Sequence, residues 1–310
     1  AAGLLEGQSI VSVTLASAGA PAGADAGEYA ILVSDAVAAE GTQLANYQVT
    51  YVPGTLTVGP RTLSVAPLAD QGKVYGGVDP ELLFTVEGLV DGDAVMGALG
   101  REEGEDVGEY GFTLGTLAAD DGNDGENYVL ELAGEATFQV VARSLVVTPA
   151  AGQGKTYGDP EPSIAFTLTD GSLVGEDAFA GGLGREAGDA VGSYAYTLGD
   201  LAVSDGNGGA NYALSLGGAE TFSITARTVT IGGGFTVATR PYDGTTAATV
   251  ASNDLVVVNA VEGDDVSVAP VAVFADALVG SGKTVTLTDA TSLAGGDAAN
   301  YVLDMTGSPT

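Results

Sequence analysis

The chain of 310 residues has no cysteine, no histidine and no tryptophan, and only nine lysine or arginine residues against 41 acidic ones. Without cysteine there is no disulfide framework, no thiolate metal ligand and no thiol nucleophile. Without histidine, Ser-His-Asp chemistry and imidazole metal sites are excluded. The formal net charge of −32 repels phosphate backbones and anionic lipid surfaces, so no nucleic acid is expected as a partner. No run approaches the roughly 20 apolar residues of a spanning helix, so no membrane insertion is expected in this segment. Paired carboxylates are the one remaining route to acid–base catalysis. None sits in an apolar neighbourhood that would raise its pKa, and the chain is not expected to be an enzyme.

What is present is repetition. Residues 61–142 and 143–226 are two copies of one unit. Lys73, Tyr75 and Gly76 return as Lys155, Tyr157 and Gly158, and Leu99-Gly100-Arg101-Glu102 returns as Leu183-Gly184-Arg185-Glu186. Val107-Gly108-Glu109-Tyr110 returns as Val191-Gly192-Ser193-Tyr194, and Asn127-Tyr128 as Asn211-Tyr212. Related fragments flank them. Residues 1–60 align with the second half of a unit, through Gly3-Leu4-Leu5-Glu6-Gly7, Gly27-Glu28-Tyr29 and Asn46-Tyr47. About half of that module's core is then expected to be missing, disordered or supplied by a neighbouring chain. Residues 227–310 carry Arg240-Pro241-Tyr242-Asp243-Gly244 and Asn300-Tyr301, and the pattern stops before a closing strand. Four module equivalents, two of them cut, read as a window of a longer array, which points to built length or displayed surface more than to one reaction centre.

The apolar spacing is that of strands. Tyr110, Phe112 and Leu114 alternate with Glu109, Gly111 and Thr113, leaving one face for a core and one for water. Tyr128, Leu130 and Leu132, a turn at Gly134, then Phe138 and Val140 read as a hairpin. Forty-eight glycines suit many short strands joined by tight turns. The expected fold is all-β, with small antiparallel immunoglobulin-like sandwich modules stacked end to end and little linker between them. The one helix candidate lies near residues 89–99. If it packed across a single sheet, the module would be a β-grasp-like α+β domain instead.

The motifs have plain readings. Tyr157-Gly158-Asp159-Pro160, with its counterpart around Tyr75, Gly76, Asp79 and Pro80, and Tyr242-Asp243-Gly244 in the last unit, reads as a strand-ending turn. Glycine takes positive φ, aspartate bonds the turn backbone and tyrosine packs at the core edge. The Tyr75 version carries two residues more before its proline. Eight of the nine basic residues fall at repeated positions and read as local partners for an acidic surface; only Lys283 stands outside. Asp120, Asp121, Asn123, Asp124 and Glu126 form the strongest calcium candidate, since calcium takes six to eight oxygen ligands and a glycine-punctuated loop can fold several around one ion. The spacing is not that of an EF-hand, and a solvated loop is the plainer reading. Asp264-Asp265 and the Asp91/Asp93 pair are weaker candidates of the same kind.

Together these motifs resemble two repeat families. Tyr157-Gly158-Asp159-Pro160, Gly88-Leu89-Val90-Asp91-Gly92-Asp93, Val107-Gly108-Glu109-Tyr110 and Asn127-Tyr128 resemble MBG domains of the YGX type. Pro241-Tyr242-Asp243-Gly244-Thr245-Thr246 with Gly296-Asp297-Ala298-Ala299-Asn300-Tyr301 is similar to the YDG domain. The resemblance implies a segment of a long secreted or surface-anchored bacterial adhesin, of the filamentous-haemagglutinin-like or biofilm-matrix kind, outside the cell. Two roles follow as expectations. Either the modules are a stalk or fibre whose partners are neighbouring modules, or they bind carbohydrate, a host glycoprotein, matrix polysaccharide or identical modules. The cut units add a filament joined by strand addition as a further alternative.

Overall fold

The computed structural model describes all 310 residues, which fall into two compact units, Ala1–Ala142 and Arg143–Thr310. Every regular element is a strand apart from two single-turn 3-10 helices, Leu44–Asn46 and Ala298–Asn300. The helix expected near residues 89–99 is absent. A turn closed by the Asp93 N–H on the Val90 carbonyl leads into the strand Ala94–Met96, paired antiparallel with Ala118–Asp120. Gly92 and Gly97 decide this, because they sit at φ +104° and +91°, outside the helical region. With no helix to lie across a sheet, the β-grasp alternative falls.

In the first unit, residues 1–60 form one antiparallel sheet of Ile10–Ala16, Gly27–Ala38 and Gly54–Val58. None of its hydrophobic side chains is buried; Leu15, Leu32 and Val52 are 62%, 60% and 75% exposed.

The module 61–142 has two main sheets. In one, Arg61–Pro67 lies between Tyr128–Leu132 and Phe84–Glu87. In the other, the order is Gly72–Val74, Thr137–Val141, Gly108–Thr113, Gly100–Arg101. Val65 from the first sheet and Phe112, Phe138 and Val140 from the second are buried against each other, with Leu99 and partly buried Phe84, Val86 and Leu130. Two sheets sharing one core make a sandwich. The second unit repeats it in 143–226, where Arg143–Pro149 lies between Phe166–Asp170 and Tyr212–Leu216, over Gly154–Thr156, Thr221–Thr225, Gly192–Thr197 and Gly184–Arg185.

Three sequence expectations change here. The sandwich is mixed, not purely antiparallel: Arg61–Pro67 runs parallel to Tyr128–Leu132, and Gly72–Val74 parallel to Thr137–Val141. The entering chain crosses from one sheet to the other within a few residues and joins strands from the far end of the module, a long connection that leaves parallel pairing open. The expected hairpin through Gly134 is a crossover, since Tyr128–Leu132 and Thr137–Val141 belong to different sheets. Their apolar faces meet the core from opposite sides, a pattern that alternation alone shares with a hairpin. Finally, the Tyr75 turn carries no extra residues. The 82-residue step from Tyr75 to Tyr157 persists to Phe84 and Phe166, which aligns Asp79 with Glu161. The added residues of the later copy are Thr169, which bulges where the Val146 and Val147 pairings shift register, and one more in the loop between Gly171 and Val174.

The last module, 227–310, is built on the long strand Arg227–Val237, antiparallel to Val250–Val258 and parallel to Tyr301–Asp304. A second sheet joins Ala247–Ala248, Ala272–Phe274 and Val285–Leu287, and Ser267–Ala269 pairs with Ser292–Ala294.

Candidate functional site

Arg101 and its counterpart Arg185 are buried against rings and capped by carboxylates. The Arg101 guanidinium lies 5.2 Å from the Tyr110 ring centre and 4.9 Å from that of Phe138; Arg185 stands 4.8 Å from Tyr194 and 5.2 Å from Phe222. Arg101 Nη1 donates to the carbonyls of Glu102 and Gly104, while Nε and Nη2 grip Asp79 at 2.6 and 3.0 Å. Arg185 holds Glu161 in the same two-pronged way at 2.6 and 2.9 Å. Lys73 and Lys155 add a second cation to each carboxylate. The guanidinium of Arg101, followed by the Lys73 ammonium, holds the Asp79 carboxyl down at about 2. Arg185, then Lys155, does the same to Glu161, also to about 2. Asp79 is therefore an ion-pair partner and does not bond the turn backbone. Pro80 and Pro160 are exposed.

A second repeated device starts from a tyrosine. The hydroxyls of Tyr29, Tyr110 and Tyr194 donate to the carbonyls of Asp25, Asp106 and Ala190, each four residues upstream, at 2.7–2.8 Å. This tyrosine corner folds the intervening loop against the ring. A Cβ at Gly104 or Gly188 would lie 2.1 or 2.4 Å from the Tyr110 or Tyr194 ring, which accounts for the glycine three residues after each arginine.

The loops so fixed meet the next module. The Ala26 N–H, at the end of the Tyr29 loop, donates to Asn127 Oδ1 of module 61–142 at 2.6 Å, and Asn127 Nδ2 donates to Asp25 at 3.0 Å. In the second unit the Val191 N–H, at the end of the Tyr194 loop, donates to Asn300 Oδ1 of module 227–310 at 3.0 Å. Ala26 and Val191 each immediately precede the Gly-x-Tyr motif. The asparagine of the Asn-Tyr pair thus reads the preceding module's loop in both units.

The Tyr157-Gly158-Asp159 turn is spent on the same junction. Tyr157 donates its hydroxyl to Asp264 Oδ2 at 2.8 Å, and Tyr301 donates to the same oxygen. The two rings meet edge to face with centres 5.4 Å apart. Arg227 Nε donates to the Tyr157 carbonyl at 2.7 Å and its Nη2 to Asp159. Gly158 has φ +79°, and a Cβ there would lie 2.3 Å from the Val261 side chain. Only glycine meets both demands. Hydrogen bonding to Asp264, with burial, pushes the Tyr157 phenol up to about 12.

This two-module grammar agrees with the comparisons. Residues 1–57, 63–139 and 145–223 match the MBG domain (YGX type) family. The chain belongs to that family. Residues 225–309 match the YDG domain, and both are repeat domains typical of large surface proteins. Searches of curated proteins and of solved structures return no match.

In the MBG modules the acidic loop is a turn. Asp121 accepts the N–H groups of Asn123, Gly125 and Asn127 at 2.8, 2.8 and 3.0 Å, using both carboxylate oxygens, and Asp205 repeats this with Asn207, Gly209 and Asn211. Burial works against the charged form of Asp121, yet these bonds hold its carboxyl below the usual range. Asp120, Asp124 and Glu126 do not gather with it into a group of three acids placed to hold an ion. The loop instead aims Asn127 at the preceding module. Asp93 and Asp264, among the weaker metal candidates, receive the hydroxyls of Tyr128 and Tyr301. Those hydroxyls in turn accept from the N–H groups of Val90 and Val261.

The YDG module treats its motif differently. Asp243 accepts the Thr245 N–H and hydroxyl, both at 2.9 Å, and pairs with Arg240, while Gly244 sits at φ +77°. Tyr242 is 69% exposed, whereas Tyr75 and Tyr157 pack on module cores.

Proposed function

We propose that this chain is a spacer segment of a long bacterial surface adhesin, held outside the cell, in which modules bond to one another and carry no catalysis. The observation that carries this reading is the use of the motif residues. Tyr157, Gly158 and Asp159, the most site-like residues of the sequence, are consumed by contact with the next module, and Asn127 and Asn300 by contact with the preceding one. A tether under load benefits from junctions in which donors and acceptors of one module are satisfied by the next, because a loose junction exposes unpaired polar groups and bends. The acidic surface, with its cations drawn inward beneath carboxylates, keeps such segments soluble and apart. No helix is long and apolar enough to cross a membrane. The absence of histidine and cysteine and the ion-pair duty of Asp79 and Glu161 support a non-enzymatic role.

The test is to delete or duplicate residues 143–226 within the surface protein that carries them. A spacer changes the reach of the protein, measured as bond distance in single-cell force spectroscopy, and leaves the rupture force of adhesion unchanged. Loss of adhesion with unchanged surface display and unchanged reach would overturn the reading.

A further inference from the structure

Two departures from the repeated template converge on one cavity of the YDG module. The first is Tyr242, which occupies the motif position of Tyr75 and Tyr157 but turns its ring to solvent and is the most exposed aromatic side chain of the chain. The second is Lys283, the one cation outside the repeated positions. Both line a cavity of about 420 Å³ between the Arg240–Thr245 turn and the loop 276–283, within the range of about 300–1,000 Å³ usual for small-molecule sites.

The walls are specific about what they suit. Arg240 lies over the Phe274 ring at 5.5 Å and pairs with Asp243; Lys283 pairs with Asp276. The cavity thus gathers two of the chain's nine cations, each already matched by a carboxylate, so its local charge is balanced on a molecule of net charge −32. An anion would meet Asp276 and compete with Asp243 for Arg240, and a cation would meet Arg240 and Lys283, each at a cost in unpaired charge. A polyol instead finds charged donors and charged acceptors side by side, and gives and takes hydrogen bonds with both. The exposed tyrosine face, with the apolar lip of Leu278 and Val279, 73% and 85% exposed, suits the C–H face of a pyranose ring, because an aromatic with a polar tip presents an apolar body at a wet boundary.

We infer that this cavity is a binding site for an uncharged sugar unit of a polysaccharide, formed by Tyr242, Arg240, Thr245, Asp276 and Lys283. It gives the last module a lateral contact through the tyrosine whose counterparts Tyr75 and Tyr157 pack on their module cores. The inference is independent of the spacer reading, which stands if the cavity binds nothing.

The whole chain is titrated by saturation-transfer NMR with maltose, cellobiose and lactose, and with a glucuronate-containing disaccharide as the anionic comparison. At least one neutral disaccharide is expected to bind with a Kd near or below about 1 mM, the range of a weak single-site contact. Tyr242→Ala should weaken it at least tenfold with unchanged Tm, because Tyr242 is exposed, and Lys283→Ala should weaken it several-fold. Tyr51→Ala, which alters an exposed tyrosine far from the cavity in sequence and in the other compact unit, should leave binding as it is. Absence of binding by all three neutral sugars, binding that survives Tyr242→Ala, or a preference for the glucuronate disaccharide would each overturn the assignment.

Discussion

Replacing Asn300 with alanine isolates the junction between modules 143–226 and 227–310. Asn300 is 8% exposed, and its Oδ1 accepts the part-buried Val191 N–H at 3.0 Å. Removing the acceptor strands that N–H at a site water reaches only in part. The cost of an unsatisfied buried donor is about 1–3 kcal/mol, and partial burial places this case in the lower half, about 1–2 kcal/mol. Because one or two kcal/mol is a factor of roughly 5–30 in an opening equilibrium, hydrogen exchange at the Val191 amide should accelerate by that factor in the intact chain. The effect should be local. Amides of Arg227–Val237 that pair with Val250–Val258 lie inside the module and should keep their protection. Tyr194 continues to hold the loop through the Ala190 carbonyl, so the loop stays folded while the junction opens. Unchanged exchange at Val191 would refute the claim that this asparagine couples the modules. Equal acceleration throughout the module would show a core effect in place of a junction effect.

Other outcomes follow from the same geometry. Phe138→Ala should cost about 3–5 kcal/mol in denaturant unfolding of the module 61–142, since Phe138 is fully buried, meets Phe112 edge to face and supports the Arg101 guanidinium; a cost below about 1 kcal/mol would contradict the two-sheet core. The pH profile of stability should be a plateau with two limbs. Asp79 and Glu161 have folded values lowered from 3.8 and 4.5 to about 2, so their contribution is complete above those ordinary values and is lost as pH falls from about 4.5 towards 2. Tyr157 is raised from 10.0 to about 12, so its contribution is complete below pH 10 and is lost as pH rises towards 12; Tyr157→Phe should flatten the alkaline limb, and Asp79→Asn the acid one. Millimolar calcium should leave the Tm unchanged relative to magnesium at equal ionic strength, because both Asp121 oxygens are committed to backbone N–H groups; a calcium-specific rise removed by Asp121→Ala would overturn this, since an ion bound only by the native state must stabilise it.

Much of the module could be read along the chain. The two-residue alternation of Phe138 with Val140 and of Tyr110 with Phe112 marks core faces, because a strand turns its side chains to opposite sides at every step. Matching residues at a step of 82 to 84 expose the repeat, and the alignment of Arg101 with Arg185 places both cations in the template. Spacing does not say which strand lies beside which. Tyr128–Leu132 and Thr137–Val141 have the pattern of a hairpin, and only packing shows them in opposite sheets. The acidic loop at Asp121 has a calcium-like composition, and only the direction of its N–H groups makes it a turn.

The functional residues divide along the same line. Asn127 and Asn300 stand before a tyrosine at equivalent positions, a signal open to reading but silent about purpose. Their acceptors find the preceding module 101 and 109 residues away, a distance no local rule spans. Repeat, charge and strand content belong to the sequence, since each depends on neighbours a few residues apart or on simple counts. The parallel pairings, the shared Asp264 between two tyrosines and the outward turn of Tyr242 belong to the tertiary structure, because each depends on which distant surfaces the completed sheets bring together.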